Sequence, residues 1–192
     1  LQDKESTASS RFETYSFDNC RSFVPRTRDV GELGDDGWVK ITAKGRRDYI
    51  AEIDARRCAL VVVDMQNGQY GPDSFVERVG KYNPEIPKVW NKRMKEIVIP
   101  NTNRLVRFFR EKGAPIVYLQ LGDSGLMPEI EAQSGPEEFL VTKFSAGAFA
   151  TSTLDQILRE FGVATVFFTG TDTACCLTAT VDEAYDRNYQ TI

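Results

Sequence analysis

Residues 164–189 read ATVFFTGTDTACCLTATVDEAYDRNY. An apolar run leads into a Gly-Thr-Asp-Thr turn at 170–173, and a helical pattern begins at the cysteines. A strand that ends in such a turn sets a thiol at the positive end of a helix dipole, where thiolate is favoured. Far upstream, Ala59–Asp64 (ALVVVD) is an apolar run that ends in a carboxylate. Between the two, Phe139–Lys143 (FLVTK) ends in an amine. An acid, an amine and a thiol, each at the C-terminal end of a strand, can meet at one rim of a parallel sheet.

The remaining pattern supports that sheet. Cys58–Val63 is continuously apolar, as in a strand covered on both faces. Met65–Ser74 (MQNGQYGPDS) is rich in turn residues and reads as a loop. Residues 85–97 carry a helical pattern interrupted by Pro87. Asn101–Lys112 is a firmer helix, with Leu105, Val106, Phe108 and Phe109 on one face and Gly113 at its stop. Strands are expected at Ala114–Leu121, Phe139–Thr142 and Val163–Thr169, with residues 122–135 irregular. A helix over Thr151–Phe161 begins with a Thr/Ser cap and turns Leu154, Ile157, Leu158 and Phe161 to one side. Thr173–Arg187 is the last full helix, and Tyr189–Ile192 opens a fifth strand. Alternating strands and helices define an α/β domain: three αβα layers around a mainly parallel, doubly wound, Rossmann-like sheet. That domain is placed at 51–192. Residues 1–50, with scattered aromatics and a short strand at Val39–Thr42, read as an N-terminal extension or oligomerisation arm.

Composition narrows the function. The chain has 192 residues, 41% hydrophobic and 27% charged, with a net charge of −4. This balance gives no reason to expect a nucleic-acid or anionic-membrane partner. No apolar run approaches membrane-spanning length. The four cysteines (Cys20, Cys58, Cys175, Cys176) lack disulfide or zinc spacing, so free thiols in a reducing, cytoplasmic compartment are expected. There is no histidine. That excludes a Ser-His-Asp triad, a Cys-His dyad and a His-ligated zinc site. Proton transfer in any reaction falls to Asp, Glu, Lys, Tyr or Cys.

The segments ALVVVDMQNG, VTKFSAGAF and TGTDTACCLTATVDEAYDRNY resemble the three signature segments of the isochorismatase-like cysteine hydrolases, over residues 58–192. That superfamily includes nicotinamidases, N-carbamoylsarcosine amidohydrolases, ureidoacrylate and biuret hydrolases, and isochorismatases. Gly170, Thr173, Cys176, Leu177 and Thr180 fill the places of its nucleophile motif, while Ala174 stands where Asn is frequent. The resemblance implies the isochorismatase-like fold and a catalytic triad of Asp64, Lys143 and Cys176. Cys176 rather than Cys175 is then the nucleophile, and Cys175 is read as core. It also implies a non-proline cis peptide between Thr171 and Asp172, with the backbone N–H groups of Asp172 and Cys176 forming an oxyanion hole. The family's sheet continues past the point reached at Ile192. The resemblance therefore implies a further C-terminal strand and helix, supplied by a longer polypeptide or another subunit. The family is commonly oligomeric, so a homo-oligomer (dimer or tetramer) is expected.

The chemistry follows from the residue types. A free thiol has a pKa near 8.5. Asp64 can accept its proton, the role His plays elsewhere. Lys143 and the helix start stabilise the anion, and backbone N–H groups at the turn receive the tetrahedral oxyanion. A thioester then forms and is hydrolysed. Gln66 and Asn67 follow Asp64 closely enough for a loop amide to reach substrate, and Tyr70, Phe75, Phe144 and Phe149 can wall a pocket. Metal-dependent nicotinamidases carry an Asp and two His near the site, a set this chain lacks, so no metal and no cofactor are expected. A thiol nucleophile is superfluous for vinyl-ether hydrolysis, which disfavours isochorismatase activity. Hydrolysis of a carbon–nitrogen bond in a small amide, ureido or carbamoyl compound remains. The alternative is a non-catalytic or thiol-redox member of the same fold.

Overall fold

The structure, a computed structural model, describes residues 38–43 and 49–192. The expected N-terminal arm, apart from its strands, lies outside the described residues. Strands β1 (Trp38–Ala43) and β2 (Tyr49–Asp54) pair antiparallel, Trp38 opposite Asp54 and Ala43 opposite Tyr49. β1 contains the expected Val39–Thr42, whereas β2 was not anticipated. They fall in a unit that ends at Ala55, and Arg56–Ile192 form a second unit.

The second unit is built on five parallel strands: β3 (Cys58–Val63), β4 (Ile116–Leu121), β5 (Glu138–Lys143), β6 (Thr165–Gly170) and β7 (Gln190–Thr191). Their order is β5-β4-β3-β6-β7. The chain winds from β3 outward to β5 and then returns to the other side of β3. The topological switch point therefore lies between β3 and β6, where the carboxyl ends of two neighbouring strands diverge into opposite connections.

β3 is the centre of the core, with all six residues buried. Alternation sends its side chains to both faces. Ala59, Val61 and Val63 join Leu154 and Leu158 of α4 (Leu154–Glu160) and Ala184 of α5 (Thr178–Asp186). On the opposite face lies α3 (Ile99–Glu111), where Phe109 meets Phe167 edge-on at 5.3 Å between ring centroids. The sheet is thus covered on both sides, as the apolar run of β3 requires.

Several boundaries differ from the sequence reading for local reasons. Helix α2 (Glu85–Arg93), a π-helical turn (Met94–Val98) and α3 run on without a break. Pro87 sits in the first turn of α2, where no intrahelical donor is required. The wide π turn carries the chain past Pro100, which lacks the N–H of a regular helix interior. A short helix α1 (Phe75–Val79) ends the glycine-rich loop, capped by Ser74 Oγ accepting from Glu77 N–H at 3.2 Å. The cap of α4 is Ser152, whose Oγ accepts from Leu154 N–H at 3.2 Å; Thr153, at the N-cap position, makes no side-chain cap. The opening strand expected at 189–192 is β7.

The switch point depends on one glycine. Gly170 has φ of 122°, and a Cβ there would lie 2.1 Å from the Val63 carbonyl oxygen. Only a residue without a side chain lets β6 end this close to β3. Gly170→Ala is expected to lose about 3 kcal/mol of stability or more, measured by urea unfolding. A loss below about 1 kcal/mol would mean that the strand ends are not tightly apposed.

Candidate active site

Asp64 follows β3 with φ of 49°, a left-handed conformation that Asp tolerates better than most residues. Its backbone is held from two sides. Asp64 N–H donates to Leu119 O at 3.0 Å, and Thr171 Oγ1 donates to Asp64 O at 3.1 Å. Thr171 N–H also donates to Val63 O at 2.9 Å. The turn after β6 is in this way stitched directly to the end of β3.

Lys143 is the last residue of β5, two strands away from β3. Strands about 4.8 Å apart leave a gap that an extended lysine can span above the end of β4. The ammonium lies 3.0 Å from Asp64 Oδ2, with Lys143 0% and Asp64 1% exposed. Lys143 Nζ also donates to Ser145 O (2.9 Å) and Ala146 O (3.2 Å). Such saturation of the donors is what makes a buried ammonium tolerable. Asp64 has the Lys143 ammonium and the Cys176 thiol beside its carboxylate, which leaves it further acceptor capacity.

Cys176 lies in a π-helical turn (Thr173–Leu177) that opens into α5. Asp172 caps this turn, its Oδ1 accepting from Ala174 N–H at 3.1 Å. The Thr171–Asp172 peptide is cis, as the resemblance implies. Cys176 is partly buried and packs against the core, whereas Cys175 is exposed. That corrects the expectation of Cys175 as core: successive helical residues point about 100° apart, and only one of the pair faces inward. Neither is in a disulfide.

The thiol also departs from expectation. Burial first, then the hydrogen bond with Asp64 and the charge of Asp64, push the Cys176 thiol up to about 12, while Lys143 pulls the other way. Against the thiolate that the helix start favours, burial and the Asp64 carboxylate work toward the protonated thiol. The carboxylate beside the sulfur and the loss of water outweigh the ammonium. The arrangement holds a protonated thiol next to a proton acceptor.

The other predicted residues separate. Gln66 is buried with its amide committed to the end of β4: Leu121 N–H donates to Oε1 at 2.6 Å and Nε2 donates to Leu121 O at 3.3 Å. It braces the rim rather than presenting an amide to substrate. Phe149 is 6% exposed and stacks on Tyr189 at 5.8 Å, so it is core and not a pocket wall. Tyr70 lies on the loop leaving Asp64, Phe75 opens α1, and Phe144 directly follows Lys143; Phe75 and Phe144 are exposed. A cleft of about 620 Å³ is lined by Gly71, Pro72 and Asp73, by Glu77, Arg78 and Lys81, and by Asn91, and touches none of Asp64, Lys143 and Cys176. The reactive groups, not that cleft, mark the site. Among the described residues, no three His, Cys, Asp or Glu side chains converge as metal ligands. No helix among them is long and apolar enough to cross a membrane. Sequence reasoning did not single out Thr171, although the hydroxyl directly after the strand-ending Gly170 was a usable signal.

An acid, an amine and a thiol at the switch point of a doubly wound sheet define a class of α/β enzymes with a cysteine at the strand-to-helix turn. Residues 58–192 match the isochorismatase domain, and the chain belongs to the isochorismatase family of hydrolases. It is 27% identical over 164 residues to the isochorismatase family protein YwoC of Bacillus subtilis, covering 73% of this chain and 76% of that one. Ureidoacrylate amidohydrolase RutB of Variovorax paradoxus is 30% identical over 135 residues, covering 70% of this chain and 48% of RutB. The chain thus spans about half the length of RutB. Among solved structures, N-carbamoylsarcosine amidase from Thermoplasma acidophilum is similar with a TM-score of 0.54 and 27% identity, over 70% of this chain and 79% of that one.

The raised thiol has a direct consequence. A group whose pKa is higher folded than unfolded stays protonated through the interval between the two values. Alkylation of Cys176 by iodoacetamide, followed by peptide mass spectrometry in a Cys175→Ala background, is expected to keep accelerating above pH 9. A rate that levels off near neutrality would contradict the protonated resting state.

Proposed function

We propose that this chain is a cysteine amidohydrolase that cleaves a carbon–nitrogen bond of a small amide, ureido or carbamoyl compound through a thioester. The reading rests chiefly on the desolvated Asp64–Lys143 pair at 3.0 Å, into whose field the Cys176 thiol is packed. The names of ureidoacrylate amidohydrolase RutB and of N-carbamoylsarcosine amidase, to which the chain is similar, agree with it.

In the proposed cycle the Cys176 proton passes to Asp64 as the sulfur attacks the substrate carbonyl carbon. The carbonyl π electrons move to oxygen, and the backbone N–H groups of Asp172 and Cys176 receive the oxyanion. As the oxyanion collapses, the carbon–nitrogen bond breaks and Asp64 returns its proton to the leaving amine. Water then gives a proton to Asp64 and attacks the thioester. Collapse of the second tetrahedral intermediate releases the acid, and the proton restores the thiol. Lys143 keeps a compensating positive charge beside Asp64 through both half-reactions. Tyr70 and Phe75 are proposed walls for the substrate. The thiol-redox alternative is disfavoured because oxidants attack thiolate, and here the proton is held on sulfur.

Ammonia release from a panel of amides, ureido acids and carbamoyl amines tests the proposal. Cys176→Ala is expected to abolish turnover, at least about 10³-fold, with the circular dichroism spectrum unchanged; Cys175→Ala should change it by less than about threefold. Equal losses in the two variants would reject Cys176 as nucleophile. With no histidine in the sequence, turnover is also expected to survive EDTA. Loss with chelator, restored by zinc, would overturn the metal-free mechanism.

A further inference from the structure

We infer that Glu183 is a positioning residue, which fixes Lys143 relative to Cys176 by clamping the turn after β5 onto the helix that carries the nucleophile. The inference rests on the proposed triad but assigns a role to a residue outside it.

Cys176, Thr180, Glu183 and Arg187 recur at helical spacing and so share one face of the segment that opens with the π turn and continues as α5. Thr180 is fully buried and its Oγ1 donates to Cys176 O at 2.7 Å. A carboxylate on such a face needs a partner. Glu183 Oε2 accepts from Phe149 N–H at 2.7 Å. The same turn supplies the cradle of the ammonium, since Lys143 Nζ donates to Ser145 O and Ala146 O. Ser145 Oγ donates to Gly147 O at 2.6 Å, which ties the cradle to the clamped end. Arg187 adds a second hold, its guanidinium 5.0 Å from the Phe149 ring centre.

Gly147 independently marks the seat of the carboxylate. A Cβ on Gly147 would lie 2.4 Å from Glu183 Cδ and 2.5 Å from each carboxylate oxygen. The glycine leaves room for Glu183. A methyl there would displace a flexible side chain rather than the backbone.

The charged and titratable groups facing the thiol are Asp64 after β3, Lys143 from β5, and Cys175 beside it. Lys143 is the one that favours thiolate, so a loosened cradle should make the thiol harder to ionise. The test is iodoacetamide alkylation of Cys176 across pH, in the Cys175→Ala background. Lys143→Met is expected to slow alkylation at pH 9 about tenfold, which corresponds to one pKa unit. Glu183→Ala and Gly147→Ala should each slow it about fivefold, while Glu183→Gln, which keeps an acceptor for Phe149 N–H, stays within about twofold.

The direction of the pH profile separates positioning from general loosening. Losing the ammonium moves the profile to higher pH, whereas exposing the thiol relieves burial, the largest cause of its rise, and moves it lower. If Glu183→Ala does not fold, Gly147→Ala decides. Wild-type rates in both, or a profile displaced to lower pH, overturn the role of Glu183 provided Lys143→Met remains slow. A wild-type rate in Lys143→Met as well would overturn the triad itself, and the positioning role with it.

Discussion

The desolvated pair of Asp64 and Lys143 is the constraint around which the carboxyl rim is arranged. Two charges removed from water are tolerable only if they face each other and if their remaining hydrogen-bonding capacity is met. The ammonium meets the condition through two backbone carbonyls of its own turn. The carboxylate meets it only in part, with the ammonium and the Cys176 thiol beside it. That asymmetry leaves a carboxylate with spare acceptor capacity at the bottom of the site, the base of the proposed cycle. It also explains the backbone stitching around Asp64, since a partly satisfied buried acid must be held by its main chain.

The neighbouring thiol completes the electrostatics. A cysteine at a helix start is usually read as an activated thiolate. Here the nearest anion is Asp64, and burial removes the water that would support a second negative charge. In the proposed cycle the proton leaves sulfur only as a substrate carbonyl gives the sulfur a bond to form. On that proposal nucleophile and base act as a matched pair, with Lys143 limiting the charge that accumulates when the proton moves. Burial and Asp64, which follows β3, both act against the thiolate that the helix start in the local sequence suggests.

Three connections bring these groups to one place, and each relies on a close approach. Gly170 lets the end of β6 press on Val63. Gln66 fastens the loop after β3 to the end of β4. Glu183 seats against Gly147 and holds the turn after β5. The two glycines serve different neighbours, a backbone carbonyl in one case and a carboxylate in the other, so their substitution by alanine has different consequences.

The sequence by itself determined the sheet and its reactive residue types. The apolar run Cys58–Val63 is typical of a covered strand, the Gly170 turn reads as the end of one, and the lack of histidine removed the commonest base. These properties are local, written in periodicity and in residue chemistry. The tertiary structure alone decided that Lys143 is desolvated rather than a solvated surface charge, that the Cys176 thiol is raised by burial and by Asp64, and that Cys175 is the exposed member of the pair. It alone committed the Gln66 amide to β4 and Phe149 to the core. It also alone revealed Glu183 as the partner of the Phe149 backbone. The physical reason is common to all of them. Burial, charge compensation and hydrogen-bond partnership depend on which distant segments approach, and a one-dimensional pattern carries no record of the neighbours that remove water from a side chain.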